Sequence, residues 1–255
     1  MLKVIYMLWF QGFKNAPYIV KKCLHSWIIH NPTWKIIKLD QNNLKNYINF
    51  DDRIKYINKK QIHKAALSDI ARIVLLEKYG GLWVDATTFC NKPLDKWIEN
   101  YIQEGFFAFN KPGPDRLLSS FFLYSDKNNY IVKEWFEKTM QYCNNIQHIG
   151  HKEPVVSIDK WNNKIYENHY FWFHYLFGDL YKSNDRFKGL WDKVPKLSAD
   201  GLHYLQNKGL LNKLSYEVKD NINKKNIPLY KLTFKYDDKN YNDKCILAYL
   251  FKTIS

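Results

Sequence analysis

Two charged residues on one predicted helix have the types and spacing that suit ligand binding. Asp69 and Arg72 stand three positions apart in the segment SDIAR, so they share one face of a helix. The carboxylate and the guanidinium lie on an otherwise apolar strip of that face. A simple intrahelical ion pair, worth about 0.2–0.5 kcal/mol, is one explanation of these two charges. A pair that holds a polar substrate is the other. Spacing alone leaves both interpretations open.

Asp85 is a charged residue in an unexpected place. It ends the run LWVD at 82–85, which is typical of a strand buried on both faces. A carboxylate there loses hydration and needs a cation or hydrogen-bond donors in compensation. Ligands of open parallel sheets bind at the carboxyl ends of strands, and Thr87 adds a hydroxyl on the same side. The two residues predict a site for Mg²⁺ or Mn²⁺ that also binds a diphosphate. An aspartate that caps the next turn is the alternative.

A basic segment near the end of the chain suits the same chemistry. Over 229–236, apolar and aromatic residues alternate with Lys231, Thr233 and Lys235, which predicts a strand. The polar face of that strand carries two long, flexible lysine side chains that can converge on one diphosphate. An edge strand whose lysines prevent aggregation explains the pattern equally well.

The aromatic run YFWFHYLF at 170–177 contains His174 on a helix predicted over 166–180. A single histidine on such a helix is usually a core residue, and the histidines of this chain show no metal-binding spacing. The sequence lacks the P-loop and the dinucleotide-binding motif, which argues against a P-loop kinase and a standard dehydrogenase. It also lacks a G-x-S-x-G nucleophile elbow.

Strands and helices alternate in the region that must position these residues. Apolar runs at 4–9 and 34–39 predict strands, with a helix between them that starts near Pro17 and ends at Asn31. A helix over 60–79 stops at Gly80 and is followed at once by the strand over 82–85. This pattern predicts an α/β fold with a mostly parallel central sheet flanked by helices. A helix over 94–102, a strand over 106–109, an apolar run at 117–124 and a helix over 129–143 follow.

The composition fits a folded, basic protein. The chain has 255 residues, of which 46% are hydrophobic, and its 39 Lys and Arg residues against 25 Asp and Glu give a net charge of +14. Such a charge attracts phosphates, anionic lipid or nucleic acid without choosing among them. Four scattered cysteines favour a reducing compartment, and no apolar run approaches the ~20 residues of a membrane span. We expect a cytoplasmic protein that can contact the inner face of a membrane.

Five segments, in this order, resemble the capsular polysaccharide synthesis family. They are MLWFQG, SDIAR, YGGLWVDAT, WFHYLF and YKLTFK, and the resemblance extends over residues 1–250. The most specific part is S-D-x-x-R followed, sixteen residues after its aspartate, by the aspartate of G-G-x-W-x-D. This family is related to sugar-transferring glycosyltransferases of GT-A fold that carry a DXD motif. The resemblance implies a GT-A-like fold in a single domain over 1–255. Its nucleotide-sugar-binding α/β half is 1–126, and its helical and mixed C-terminal half is 127–255.

The resemblance also implies roles for matching residues. Trp9 would stack on the nucleobase of the donor, Asp69 and Arg72 would hold its sugar, and Asp85 would bind ribose, metal or both. Thr87 stands where a strict DXD motif has a second aspartate, which weakens the expected Mn²⁺ or Mg²⁺ site formed with Asp85. With the basic segment included, the expected donor-binding residues are Trp9, Asp69, Arg72, Gly81, Asp85, His174, Lys231, Thr233 and Lys235, and the expected catalytic residues are Asp69, Arg72 and Asp85.

The implied function is a hexosyltransferase-like transfer from a nucleotide sugar, expected to be a UDP-sugar. The acceptor would be a polysaccharide or lipid-linked oligosaccharide of bacterial capsule synthesis. The departing diphosphate gains negative charge, which a metal ion, Arg and Lys can stabilise. An inverting reaction needs a general base, for which Asp115, Asp126, Glu153 and His174 are unranked candidates. A basic, non-catalytic protein that binds a membrane surface or nucleic acid is the alternative. No nucleic-acid partner is expected, because no RNA- or DNA-binding signature is evident.

Overall fold

The computed structural model describes residues 1–55, 60–146, 148–150, 160–161, 164–165, 169–236 and 241–254. In this part of the chain the strands are β1 (Val4–Leu8), β2 (Lys35–Leu39), β3 (Gln61–Ile62), β4 (Gly81–Val84), β5 (Thr88–Cys90), β6 (Phe106–Gly113), β7 (Arg116–Ser125), β8 (His148–Ile149), β9 (Lys160–Trp161), β10 (Lys164–Ile165) and β11 (Leu229–Lys231). The α-helices are α1 (Tyr18–His30), α2 (Lys64–Tyr79), α3 (Tyr130–Asn145), α4 (Trp172–Ser183), α5 (Asp185–Lys193), α6 (Tyr204–Asn207), α7 (Tyr216–Lys224) and α8 (Ile246–Lys252).

The five-stranded sheet has the strand order β2-β1-β4-β7-β6. It is mixed, since β1 and β2 are parallel, with Val4 opposite Lys35, whereas β6 and β7 are antiparallel. After residue 169, helices dominate the described chain and β11 is the only strand there. The predicted α/β class, with helices flanking a central sheet and a helical C-terminal part, is confirmed.

The predicted β1-α1-β2 unit is also confirmed. Pro17 precedes the first residue of α1, where its missing N–H costs nothing. Three residues at helical spacing, Ile19, Cys23 and Trp27, are fully buried. The helix ends at His30, immediately before Asn31-Pro32, as expected because a residue before proline avoids the helical conformation.

Gly80 makes the sharp change from α2 to β4. Its backbone has φ 69° and ψ −170°, a region open essentially to glycine alone. Its N–H still bonds to the carbonyl of Leu76 and closes the helix. The chain therefore enters β4 without a loop, and all four residues of that strand are buried.

The predicted helix over 94–102 is wrong. The chain forms two short 3-10 turns there, Leu94–Lys96 and Ile98–Asn100, while Leu94 and Ile98 still enter the core. Asp95 accepts hydrogen bonds from Thr33 and Trp34, at 2.8 and 2.9 Å, which tie the first of these turns to the segment before β2.

The strand predicted over 229–236 is wrong beyond Lys231. Its partner, β5, has only three residues, and Leu229, Tyr230 and Lys231 pair with all of them. A strand without a neighbour leaves its backbone groups unpaired, so β11 ends where β5 begins. Lys235 is exposed beyond the end of the strand, and Phe234 is 49% exposed instead of lying on a buried apolar face.

Two compact units are built from interleaved stretches of the chain. The first unit is Met1–Leu2, Asn42–Trp83 and Tyr101–Ser198; the second unit is Lys3–Gln41, Val84–Asn100 and Ala199–Ser255. The single domain with halves divided after residue 126 stays a prediction.

Each unit has its own aromatic-rich core. In the first unit, the Trp135 ring of α3 stacks on Phe173 of α4 with centroids 4.0 Å apart, and its indole N–H donates to the Phe173 carbonyl. In the second unit, buried residues of α1, β5, β11, α7 and α8 form one cluster that includes Cys23, Phe89 and Tyr230. Helices and strands of both cores carry residues that the sequence analysis proposed for the donor site.

The four cysteines are free and buried. Burial raises the pKa of the Cys90 and Cys143 thiols to about 12, so both are protonated and unreactive at neutral pH. Within the described ranges, no helix combines the length and apolar character that crossing a membrane requires.

We expect Gly80→Ala to destabilise the protein strongly. A Cβ on Gly80 would lie 2.7 Å from the backbone nitrogen of Lys127, and the φ of 69° is strained for any side chain. Together these should lower the free energy of unfolding by at least about 1–3 kcal/mol, measured by urea denaturation. Gly189→Ala in α5 is the matched control, because a Cβ there meets nothing within 4 Å. It should raise stability by about 0.4–1 kcal/mol. Equal effects of the two changes would contradict this account of the turn.

Candidate active site

A lysine from the end of the chain neutralises the aspartate that follows β4. Lys231 Nζ donates to Asp85 Oδ2 at 2.8 Å and to Thr87 Oγ1 at 2.9 Å. The side chains of Lys231 and Asp85 are 18% and 27% exposed, so the pair is partly desolvated but open to solvent. The sequence analysis assigned Lys231 to the diphosphate and Asp85 and Thr87 to a metal ion, and the structure brings all three residues together.

Backbone hydrogen bonds fix this arrangement. The N–H of Thr88 bonds to the carbonyl of Asp85 at 2.9 Å, which closes a tight turn directly after β4. Antiparallel pairing then puts Lys231 opposite Thr88. The N–H of Leu232 bonds to the Thr87 carbonyl at 2.8 Å. The lysine therefore reaches Asp85 because its own strand is bonded to the residues that follow that aspartate.

Helix α1 supports the same turn from within the second unit. The indole N–H of Trp27 donates to the carbonyl of Thr88 at 2.7 Å. Ser26 Oγ accepts the N–H of Cys90 at 2.8 Å and donates to the carbonyl of Cys23 at 2.6 Å. All of these groups are buried, where a hydrogen bond is costly to lose. They hold β5 to α1 and so position the aspartate-containing turn.

Two aromatic rings lie in the same unit as the aspartate and the lysine. Trp9, just after β1, packs with Phe13 against a small apolar cluster formed by Ala16, Val20 and Ala86. Its ring meets Phe234 edge to face, with centroids 5.3 Å apart and planes at 77°. Ala86 follows Asp85 directly in the chain, so the apolar cluster that Trp9 packs against includes the residue after the predicted metal ligand.

Asp69 and Arg72 form a buried ion pair in the first unit. Their residues are 9% and 3% exposed, and an Arg72 N–H donates to Asp69 Oδ1. The guanidinium lies over the ring of Trp83, 5.0 Å from its centroid, and 5.7 Å from that of Phe173. The expected pairing on one helix face is present. Its burial means that it does not behave as an ordinary solvent-exposed pair.

The other predicted donor-binding residues have simpler surroundings. Gly81 begins β4 with φ 103° and is buried. His174 lies in α4, half-buried, with its ring 5.6 Å from that of Phe171. Thr233 is half-buried beyond the end of β11, where its Oγ1 accepts the N–H of Lys235 at 3.4 Å. The binding roles of these residues stay predictions.

The sequence analysis gave no role to Asp40 or Phe234, which the structure places beside the segment that carries Trp9. Asp40 comes directly after β2, and a Cβ on Gly12 would lie 3.6 Å from its Oδ2. An acidic residue at the carboxyl end of a parallel strand is a signal that could have identified it. Phe234 had no such signal, because alternation with its neighbours predicted a buried position for it.

Among the general-base candidates, Asp115 and Asp126 each accept a hydrogen bond from a tyrosine hydroxyl, at 2.8 and 2.6 Å. Glu153 lies outside the described residues. The described part of the chain contains no group of three or more His, Cys, Asp or Glu side chains that could hold a metal ion. A metal at Asp85 and Thr87 would therefore have one carboxylate and one hydroxyl from these residues.

A family model described as "Capsular polysaccharide synthesis protein" matches residues 1–151 and 155–250. The chain belongs to this family. The predicted resemblance is thereby confirmed over nearly the whole sequence.

Curated relatives of this family member carry glycosyltransferase names. O-glycosyltransferase braB of Annulohypoxylon truncatum is 25% identical over 175 residues, which cover 60% of this chain and 41% of that protein. Uncharacterized glycosyltransferase L373 of Acanthamoeba polyphaga mimivirus is 26% identical over 106 residues, covering 41% of each protein. The chain thus spans less than half the length of these relatives. Among solved structures, PaToxG Glycosyltransferase matches 87% of this chain and 83% of its own with a TM-score of 0.42 and 16% identity.

In this family member, Asp69→Asn should lower the free energy of unfolding far more than the loss of an exposed charge does. It leaves the Arg72 guanidinium, 3% exposed, without its carboxylate, and breaking such a buried pair typically costs about 3–5 kcal/mol. Asp192→Asn is the control, because Asp192 pairs with Lys188 within α5 and both side chains are more than 40% exposed. Its cost should stay below about 1 kcal/mol in urea denaturation. Similar costs for the two variants would show that the buried pair is not a structural constraint.

Proposed function

We propose that this chain is a hexosyltransferase-like glycosyltransferase that uses a UDP-sugar. Its acceptor would be a polysaccharide or lipid-linked oligosaccharide in the synthesis of a bacterial capsule or surface polysaccharide. The observation that carries the proposal is the contact of Lys231 with both Asp85 and Thr87, directly after β4. Membership of the family and the names of the curated relatives support it.

The chemistry of sugar transfer explains why a lysine belongs at this place. The bond between the anomeric carbon and the diphosphate oxygen breaks, and the bonding electrons leave with the nucleoside diphosphate. The acceptor hydroxyl forms the new bond to the anomeric carbon and gives its proton to a general base. Negative charge therefore grows on the diphosphate in the transition state, where a nearby ammonium group stabilises it more than in the ground state.

Asp85 and Thr87 are the residues that would hold Mg²⁺ or Mn²⁺. These ions need few protein ligands, since one or two carboxylates together with substrate phosphates and water commonly suffice. The position suits a cation, because the Lys231 ammonium already lies within 2.9 Å of an oxygen of each residue. When bound, the ion would help to neutralise the departing diphosphate. Lys231 would then exchange its contact with Asp85 for one with the diphosphate, and exposed Lys235 would add a second positive charge.

The remaining parts of the donor have their own proposed contacts. Trp9 would stack on the nucleobase, with Phe234 holding the indole from its edge. Asp69 and Arg72 would hold the sugar through hydrogen bonds to its hydroxyls, and Gly81, His174 and Thr233 would complete the donor site.

We also propose that this chain acts in the cytoplasm, in contact with the inner face of an anionic membrane. The observation that supports contact is on α1, where Ile28 and Ile29 are 45% and 49% exposed on a helix that also exposes Lys21. Apolar side chains beside lysines are typical of surfaces that bind anionic lipid.

Asp85→Asn and Lys231→Ala should both impair hydrolysis of the donor. Nucleotide release from UDP-glucose, UDP-galactose and their N-acetylhexosamine counterparts can be followed with Mn²⁺ present and no acceptor. Asp85→Asn removes the charge that would hold the metal, and Lys231→Ala removes the cation beside the diphosphate. Each should lower kcat/KM by about 100-fold, as for other groups that stabilise transition-state charge.

Asp220→Asn and Lys224→Ala provide matched controls for these two changes. The two residues form an exposed ion pair in α7 of the second unit, with side chains 37% and 60% exposed. Their variants should keep full hydrolysis. Release of nucleotide by Asp85→Asn at the wild-type rate would refute the proposed role of the aspartate. Absence of turnover of every UDP-sugar by the wild-type chain would refute UDP-sugar use.

Trp9→Ala should weaken binding of UDP but not of inorganic pyrophosphate. The loss of base stacking, about 1–3 kcal/mol, corresponds to an increase of roughly 5- to 150-fold in the Kd for UDP. Lys231→Ala should weaken both ligands, because both contain the diphosphate. Isothermal titration calorimetry in the presence of Mn²⁺ measures all four values, with Trp9→Phe as the conservative control. Equal weakening of UDP and pyrophosphate by Trp9→Ala would contradict a contact with the base.

A further inference from the structure

A second oppositely charged pair lies at the tip of the β6–β7 hairpin in the first unit. Asp115 Oδ2 accepts a hydrogen bond from the Tyr175 hydroxyl of α4 at 2.8 Å and another from Arg116 Nη1 at 3.3 Å. The side chains of Asp115 and Arg116 are each only 12% exposed. Burial lowers the pKa of Arg116, although the neighbouring Asp115 opposes this shift. A hairpin tip is usually solvated, so a nearly buried ion pair there is unusual.

Aromatic rings lie directly against this pair. The Arg116 guanidinium carbon is 3.4 Å from the centroid of the Phe171 ring, close enough for stacking. The ring of Tyr170 meets Phe171 with centroids 5.1 Å apart. Tyr170 is 60% exposed, so an aromatic face is presented to solvent beside the stacked guanidinium.

Gly113 packs closely against both charged groups. A Cβ on Gly113 would lie 2.5 Å from Arg116 Nη2 and 3.0 Å from Asp115 Oδ1. The hydrogen bonds that Asp115 accepts from Arg116 and Tyr175 use other atoms, namely Arg116 Nη1 and Asp115 Oδ2. Any side chain at position 113 would collide with Asp115 and Arg116, so glycine is needed there for the two charged groups to lie side by side.

The pair is also linked to the proposed sugar-binding residues within the first unit. Arg72 lies 5.7 Å from the ring of Phe173, and His174, next in the chain, has its ring 5.6 Å from that of Phe171. Phe171 in turn contacts Arg116. The start of α4 therefore connects Asp69 and Arg72 on one side with Asp115 and Arg116 on the other.

We propose that Asp115, Arg116, Phe171 and Tyr170 form a subsite for a neutral sugar residue of the acceptor glycan. Sugar hydroxyls both donate and accept hydrogen bonds, which matches a carboxylate beside a guanidinium. Aromatic rings suit the apolar C–H face of a pyranose. The opposite charges cancel, so the pair favours an uncharged sugar over a phosphate or an acidic sugar. Asp115 is then a binding residue and not the general base.

The assignment to the acceptor rests on the proposed function, so its test uses a readout that needs no donor. The full chain, fluorescently labelled, is applied to a glycan microarray that carries neutral, sialylated, sulfated and phosphorylated saccharides. The wild-type chain should bind neutral saccharides. Tyr170→Ala and Arg116→Gln should raise the half-saturating concentration at least ten-fold, while Tyr170→Trp, which keeps an aromatic face, should retain binding. Tyr216→Ala, at a tyrosine 85% exposed in α7 of the second unit, is the matched control and should bind normally.

Binding of neutral saccharides that survives both Tyr170→Ala and Arg116→Gln would overturn the proposal, as would binding of acidic saccharides only or of none. Calorimetry with UDP and Mn²⁺ should give the wild-type Kd for both variants, which excludes general unfolding as the cause of a loss. Failure of the proposed function is distinguishable. It would appear as absence of UDP-sugar hydrolysis by the wild-type chain, whatever the array shows.

Discussion

A carboxylate directly after a fully buried strand requires a positive partner, and Lys231 supplies it to Asp85 from 146 residues away in the chain. Several features of the second unit follow from this requirement. The antiparallel pairing of β5 and β11 brings the lysine to the aspartate. The hydrogen bonds of Trp27 and Ser26 then hold β5 to α1. In this arrangement a partly exposed ion pair lies directly after β4. Under the proposed function, an incoming diphosphate would compete with Asp85 for the lysine.

Under the proposed function, the predicted site residues of the two units suit different parts of the substrates. In the second unit Lys231 pairs with Asp85, and exposed Lys235 beyond it adds a positive charge that suits an anionic diphosphate. In the first unit, Asp69–Arg72 and Asp115–Arg116 are oppositely charged pairs packed against aromatic rings. Their charges cancel, and a neutral polar site beside rings suits sugars. Under the proposed function, this division of charge separates recognition of the nucleotide from recognition of the carbohydrate.

Local patterns in the sequence predicted α1, α2, α3 and β4 well. Their signals are carried by neighbouring residues, such as the apolar stripe of α1 and the glycines that end α2. The same reasoning failed at residues 94–102 and 229–236, where distant contacts decide the structure. Asp95 bonds to Thr33 and Trp34, and the three residues of β5 limit the length of β11. The periodicity of apolar residues cannot predict such limits, because it contains no information about the partner strand or the distant side chain.

By itself the sequence determined the α/β class, the family, the position of Asp85 after a buried strand and the shared helix face of Asp69 and Arg72. Only the tertiary structure decided which lysine reaches Asp85, since Lys231 and Lys235 are equivalent in an alternating pattern but only Lys231 lies within β11. It also turned Phe234 outward against Trp9 and tied Asp115 to Tyr175. The physical reason is that helix and strand preferences act over a few residues. Pairing between charges and rings far apart in the chain depends on how strands align and where they end.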